Sequence, residues 1–424
     1  MATQVASSMG RAMQLGDLRR RILYTILMFA VFRLGVHIPV PGINESVLPS
    51  LFKQGTFFGL LNLFSGGALG VFAVFAMGVT PYINASIIMQ LLTLVIPQVE
   101  AWQKEGPEGQ KRINEWTRYG TVILGLIQAV ALTVYLRDGG AFLSPNLASM
   151  AVVVVVLTAG TVLLMWIGEQ ITESGIGNGI SLLIFAGIIS RIPTGIGNLY
   201  TYITSGRITW WNLLLFCALA VLIVAAVVAV TQAALRVPVQ YAKRVVGRRM
   251  YGGASSYIPI RVNQAGVIPV IFAASVLTVP LTLTSFTKSA WLSRVAAAFS
   301  PQYVWYWLIY AALIIAFTFF YTSIVWNPND VADNIKKYGG FIPGLRPGRP
   351  TAEYLGRVLE RVTVLGAIFL AAIAVLPVIF SSATNIPNIN FGGTALLIVV
   401  GVALDTMMQI EGHLLMRHYQ GFIR

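Results

Sequence analysis

Apolar residues run through this chain in blocks of about twenty, separated by short polar, charged or Gly/Pro-rich breaks, and about 20 apolar residues in a helix span a bilayer core. Reading those blocks as helices predicts ten crossings, at roughly residues 22–40, 78–96, 119–136, 149–168, 179–195, 211–231, 264–284, 304–325, 362–380 and 392–412. One stretch breaks the rhythm. From the residue after Lys53 up to Glu100 there is no Asp, Glu, Lys or Arg, a run about twice as long as one crossing needs. It carries Ser65-Gly66-Gly67, Gly70 and Gly78-Val79-Thr80-Pro81 as breakers. It therefore divides in two. Residues 60–75 form a short apolar piece that dips back into the protein. Residues 78–96 form a full crossing with Pro81 in its first turn, where a missing N–H does no harm. Broken backbone at membrane depth survives only inside protein or beside a water-filled cavity. The stretch predicts a polytopic protein with a pathway through it.

Composition fixes the class. The chain has 424 residues, 56% hydrophobic and 10% charged, which is an integral membrane protein and not a soluble fold. The first apolar run is too long for a signal-peptide core, and no small-residue cleavage site follows it, so it is read as a retained helix. The single cysteine, Cys217, allows no intrachain disulfide. His37, His413 and His418 show no metal-ligand spacing, so no metal or cofactor is expected. The net charge of +14 bears on orientation. With the N-terminus inside, outer segments hold only Lys53, Arg137, Arg191, Arg207, Lys288 and Arg294. Arg33 lies within the first helix, and every other Lys and Arg falls inside. This bias predicts that both termini are cytoplasmic.

Ten crossings divide as five and five, residues 1–205 and 206–424, with 202–209 as the join. An odd number per half makes any repeat one of inverted topology. Gly78-Val79-Thr80-Pro81-Tyr82-Ile83-Asn84-Ala85 and Gly266-Val267-Ile268-Pro269-Val270-Ile271-Phe272-Ala273 both read G-V-x-P-x-I-x-A. Each opens the second helix of its half. Chance reuse of a small apolar alphabet is the competing explanation.

Two inner loops, about 232–263 and 327–361, are strongly basic. The first carries Lys243, Arg244, Arg248 and Arg249; the second carries Arg346 within Pro343-Gly344-Leu345-Arg346-Pro347-Gly348. Their Pro and Gly set turns, so the basic groups are expected on hairpin-like tips. Part of this charge enforces topology; the remainder suits docking to an acidic protein face or to ribosomal RNA.

Candidate chemistry is sparse. Arg33 and Asp405 are the clear charges within crossings, where a charge is a functional hypothesis by default. They lie at different depths, so a direct pair is not expected, and a packed Arg33 with a snorkelling Asp405 is the plainer reading. Gly175-Ile176-Gly177-Asn178-Gly179 follows no strand and precedes no Lys-Ser/Thr, so it is read as a tight turn, with Asn178 or Ser181 as helix cap, and not as a phosphate loop. No catalytic triad, zinc site or carboxylate pair is visible. The chain is not expected to be an enzyme.

The run Leu61-Asn62-Leu63-Phe64-Ser65-Gly66-Gly67-Ala68-Leu69, then Pro81-Tyr82-Ile83-Asn84-Ala85-Ser86-Ile87-Ile88, resembles the SecY family of bacterial protein-conducting channels. So do residues 175–181, 241–244, 247–249, 263–271, 344–348 and 391–399, in order along nearly the whole chain. The resemblance implies an all-α polytopic fold: ten transmembrane helices in two inverted five-helix halves around a central pore. It implies a passive channel in the bacterial plasma membrane that exports unfolded preproteins and releases hydrophobic segments sideways into membrane lipid, with a preprotein and its signal peptide as cargo and no small-molecule substrate. By motif position, a waist ring would comprise Ile83, Ile87, Ile184, Ile188, Ile271 and Ile398. A re-entrant plug, about 60–72, would include Leu61, Asn62, Leu63, Phe64, Ser65, Gly66, Gly67, Ala68, Leu69 and Gly70. A lateral gate between the second and seventh helices would lie near Gln90 and Asn263. Lys243, Arg244, Arg248, Arg249 and Arg346 would meet the motor ATPase SecA or a ribosome, with SecE and SecG as small partners.

Two other readings stay open from the residues alone. An ion-coupled solute transporter also uses inverted repeats and broken helices, but it calls for acids or clustered polar groups at midplane, and Ile83-Asn84-Ala85-Ser86-Ile87-Ile88-Met89 offers only small polar residues. An intramembrane enzyme needs a nucleophile–base or metal pair at depth.

Overall fold

The computed structural model describes residues 15–44, 46–48, 51, 62, 65–206, 209–241, 244–246, 249–251, 255–284, 303–384 and 393–420. In order along the chain the helices are α1 (Gly16–Gly35), the one-turn α2 (Ala68–Val71), α3 (Thr80–Val95), α4 (Pro97–Lys104), α5 (Pro107–Asp138), α6 (Leu147–Ser174), α7 (Gly179–Ser190), α8 (Ile192–Thr204), α9 (Trp210–Gln232), α10 (Ile268–Thr284), α11 (Val304–Val325), α12 (Pro328–Lys337), α13 (Arg349–Thr384) and α14 (Gly393–Gln420). All but α2, α4, α8 and α12 fall on the ten expected crossings. Among the described residues, seven helical stretches are long and apolar enough to cross a membrane by themselves. The others fall short for visible reasons. Arg19, Arg20 and Arg21 sit inside α1, α3 stops at Val95 where Pro97 bends the path by 100° into α4, and α10 begins late.

Several boundaries differ from the sequence reading. The first helix ends at Gly35, not near residue 40, because the following segment leaves to pair with the segment after α2: the Val40 amide donates to the Phe72 carbonyl at 3.0 Å and the Val74 amide to the Ile38 carbonyl at 2.9 Å. The fifth crossing, Gly179–Gly197, is one apolar span made of α7, which ends at Ser190, and the start of α8. Pro193 then sits in the first turn of α8, where proline starts a helix readily. The seventh crossing begins at Ile268 because Gly266, at φ +64°, forms a left-handed turn ahead of it. Helices α5 and α13 run well past their apolar cores.

Among the described residues, the strands of two or more residues all lie in the basic loops. Ala234–Tyr241 (β1) pairs antiparallel with Ser255–Arg261 (β4), and Gly340–Phe341 (β5) adds to the other side of β1, giving the order β4-β1-β5. Arg244–Val246 (β2) and Arg249–Tyr251 (β3) pair at the tip between them. Alternation along β1 buries Val237 and Val239, as a half-buried strand requires. These residues share a core with Ile260, Ile335, Ile342, Leu355 and Leu359. The two basic loops are therefore one folded unit on the first turns of α13, not two independent hairpins.

Glycines set how closely the helices approach. A Cβ on Gly160 of α6 would strike the Val74 carbonyl, and one on Gly179 would strike the Gly168 carbonyl. The turn at 175–179 thus brings α6 and α7 into backbone contact, with the Asn178 side chain accepting from the Ser181 amide at 3.1 Å as the cap. Gly179→Val should cost about 3 kcal/mol, since backbone cannot yield as a side chain can. The exposed Gly197, with open space around it, should accept Ala without loss. Thermal unfolding midpoints in detergent check both.

Candidate functional site

Helix α7 serves as a depth gauge. Asn178 and Ser181 stand at its start, Ile184 and Ile188 one turn apart on one face, and Ser190 at its end. At 1.5 Å per residue Ile184, Ile188 and Ser190 lie about 9, about 15 and about 18 Å from Asn178. Ile83 and Ile87 repeat the i, i+4 spacing on α3, which sets both on the same face. Ile271 comes from α10 and Ile398 from α14. All six isoleucines are buried and belong to one apolar cluster. Helices α3 and α10 pack together, as do α7 and α14. The four helices that carry the isoleucines are thus ones that meet across the middle of the chain.

A cavity of about 320 Å³ opens on the side of the helix-α7 start, lined by Asn178, Ser181, Arg261, Gly266, Asp405, Thr406 and Gln409 among others. A second, of about 130 Å³, shares Asn178, Ser181 and Ile268 with it and is also lined by Ile83, Ile184, Ile271, Phe272 and Tyr321. The first cavity is two-signed, with Arg261 and Asp405 in its wall, and the second sets three of the isoleucines beside the polar Ser86 and Gln90. Asp405, from the interior of α14, is part of the first cavity's wall.

Beyond the isoleucines sits the segment around α2. Ala68 belongs to the same apolar cluster as the six isoleucines, and Ser65, Leu69 and Phe72 are buried. Gly66 and Gly67 hold φ +67° and +98°, and a Cβ on Gly66 would lie 3.0 Å from the Gly187 Cα. Asn62 ties the segment internally: its carbonyl accepts from the Gly67 amide at 2.8 Å and its Oδ1 from the Gly70 amide at 2.9 Å. Two arginines reach it from outside. The Arg33 Nη1 donates to the Gly66 carbonyl at 3.2 Å and to the Ser190 Oγ at 3.3 Å. The Arg191 Nη1 donates to the Asn62 carbonyl at 3.4 Å. Arg191 was legible only as one of a few outer basic residues; nothing local in the sequence marks its contact. Leu61, Leu63 and Phe64 lie outside the described residues.

Gln90 lines the smaller cavity and donates to the Ser86 Oγ at 3.3 Å, while its Oε1 is buried without a partner. Asn263 is buried with its Oδ1 equally unpartnered. Its Cα lies against Gly366 of α13, and it does not line the cavity that holds Gln90. At the basic tips, Arg346 is exposed. Its backbone is fixed by the Thr351 Oγ1, which donates to the Arg346 carbonyl at 2.9 Å, and by Gly344 and Gly348 at φ +83° and +104°. Arg244 and Arg249 lie on β2 and β3; Lys243 and Arg248 lie outside the described residues.

A polytopic bundle of apolar helices around a cluster of buried isoleucines, with a re-entrant segment packed on the same cluster, has the form of a membrane channel. Comparison with known proteins makes the class specific. The SecY family model matches residues 73–407. The protein translocase subunit SecY of Halalkalibacterium halodurans is 48% identical over 97% of this chain and 98% of its own, and that of Aquifex aeolicus 43% identical over 97% and 98%. Among solved structures, that described as a protein conducting channel matches with TM-score 0.66 at 19% identity, over 92% of this chain and 91% of its own. Sec61 in the canine ribosome-channel complex matches with TM-score 0.59 at 17% identity, over 92% and 91%.

The chain belongs to the SecY family. It is a multi-pass membrane protein that conducts polypeptide, with two inverted five-helix halves around a central pore, and it is not an enzyme. The transporter reading falls away.

Proposed function

We propose that this chain is the passive conduit for unfolded preproteins in the bacterial plasma membrane, with both termini cytoplasmic. Residues 1–205 and 206–424 are its two halves, and polypeptide passes between them. The six isoleucines form the waist ring, residues around 60–72 the plug, and the contact of α3 with α10, flanked by Gln90 and Asn263, the lateral gate through which hydrophobic segments leave. The observation that carries this reading is the order along one axis: a two-signed cavity, then six buried isoleucines, then a glycine-turned segment holding Ala68 in the same cluster.

The chemistry supports it. A narrow apolar constriction excludes water and ions. Branched isoleucine fills the waist yet binds no passing side chain strongly, which suits a conduit for many sequences. Energy comes from outside the chain. SecA or a translating ribosome docks on the basic tips, Lys243, Arg244, Arg248, Arg249 and Arg346. SecE clamps the halves with SecG alongside. The ribosome-bound Sec61 and Ssh1 structures support the ribosome as a partner, and the lopsided distribution of Lys and Arg supports the orientation.

The test is reconstitution. Vesicles holding this chain with its small partners, given the motor ATPase and ATP, should render a preprotein protease-resistant until detergent is added. Vesicles lacking this chain should not. A preprotein that stays fully digestible with all components folded and present overturns the proposal.

A further inference from the structure

Three side chains outside the proposed ring and plug converge on the carbonyl oxygens of Asn62 and Gly66. We propose that Arg33, Ser190 and Arg191 form a releasable latch that holds the plug in its closed seat and lets go when the ring widens. The latch depends on residues around 60–72 being that plug. Arg33, near the end of α1, donates to the Gly66 carbonyl at 3.2 Å and also binds the Ser190 Oγ at 3.3 Å. The Ser190 Oγ lies 3.5 Å from that carbonyl but donates its hydrogen to the Gly187 carbonyl at 2.8 Å, so its part is to accept from Arg33. Arg191 donates to the Asn62 carbonyl at 3.4 Å.

The glycines fit this role. At φ +67° and +98° the backbone of Gly66 and Gly67 takes a path that other residues avoid, and a Cβ on Gly67 would stand 3.3 Å from the Arg191 Nη1. The small residue is what admits the guanidinium.

The acceptors make the latch releasable. Among the described residues neither Arg33 nor Arg191 forms an ion pair with a carboxylate. Each is aimed at neutral carbonyls, and a charged donor on a neutral acceptor holds less strongly than a guanidinium on a carboxylate. The plug's own hydrogen bonds, Gly67 and Gly70 to Asn62 and Ala73 to Ala68, stay within the segment and can travel with it.

Helix α7 supplies the coupling. Ile184, Ile188 and Ser190 ride on one 12-residue helix, with Arg191 as its C-cap. A polypeptide that pushes Ile184 and Ile188 outward carries Ser190 and Arg191 the same way, while Arg33 stays with α1. Opening the waist therefore pulls the latch apart from one side, with no separate signal.

The test uses the purified channel complex in planar bilayers, with hydrogen exchange on the same samples. Arg33→Gln combined with Arg191→Gln should raise resting ion conductance about a hundredfold, since charged hydrogen bonds of this kind each carry roughly a tenfold factor, and should speed amide exchange in residues 65–73. Arg191→Lys, which retains a charged donor where Gln leaves only a neutral one, should keep most of the seal. Deleting residues 61–69 should leak by itself, and the double Gln variant should add nothing in that background. A leaking deletion with a folded, tight and slowly exchanging double variant overturns the latch and leaves the plug standing. A tight deletion overturns the plug reading and the latch with it. Added leak in both backgrounds shows that the arginines act elsewhere, which also overturns the latch. Should the double variant fail to assemble, Ser190→Ala carries the test: conductance should rise roughly twofold, and no change rejects the proposal.

Discussion

Serine in place of Ile83, Ile87 and Ile271 is expected to leave a folded channel that leaks small ions at rest, with conductance raised at least about tenfold over the parent, because hydroxyls let water wet a constriction that apolar side chains keep dry. The three positions come from two helices that face each other, α3 and α10, and two of them line the smaller cavity. Leucine at the same positions keeps the volume and the apolar surface, and swaps of that kind are well tolerated. It should keep the seal. Ion flux through planar bilayers, read beside the thermal midpoint of each variant, separates wetting from misfolding. Serine variants as tight as the parent would remove these isoleucines from the waist.

Reversing one charge at the tip should have an effect of comparable size through a different route. Arg346→Glu is expected to lower motor-driven translocation by about thirtyfold or more, the equivalent of ~2 kcal/mol lost when a charge meets its own sign at a docking site. The chain itself should be indifferent. Arg346 is exposed, the turn beneath it is held by Gly344, Gly348 and the Thr351 hydroxyl, and substitutions at such surface sites shift stability by no more than about 0.5 kcal/mol. Translocation into vesicles and binding of the motor to the reconstituted channel are the two measurements. Full translocation with normal insertion of the variant would reject the docking role.

Much of this architecture was legible because lipid simplifies the code. A crossing must be an unbroken apolar helix, so blocks such as 304–325 are read almost to the residue, and α11 is Val304–Val325. The re-entrant segment announced itself by glycines in a charge-free run. The isoleucines did not. Each is an ordinary apolar residue, and only the motifs around them singled them out before burial placed all six in one cluster. What stayed hidden depends on distant partners. The contacts of Arg33 with Gly66 and Arg191 with Asn62 span 33 and 129 residues. The joining of β5 to β1 needs two loops separated by two crossings to meet. A helix end that differs, such as Gly35, is set by what the next segment pairs with and not by where hydropathy falls.

That joint has a mechanical meaning. Because Gln240 and Tyr241 are stitched to Phe341 and Gly340, and the sheet is bedded on Leu355 and Leu359 of α13, a load on either tip is borne by both. It passes into a single 36-residue rod that lies along α14, the bearer of Ile398. Force applied at the tips therefore has a lever whose far end rests beside Ile398.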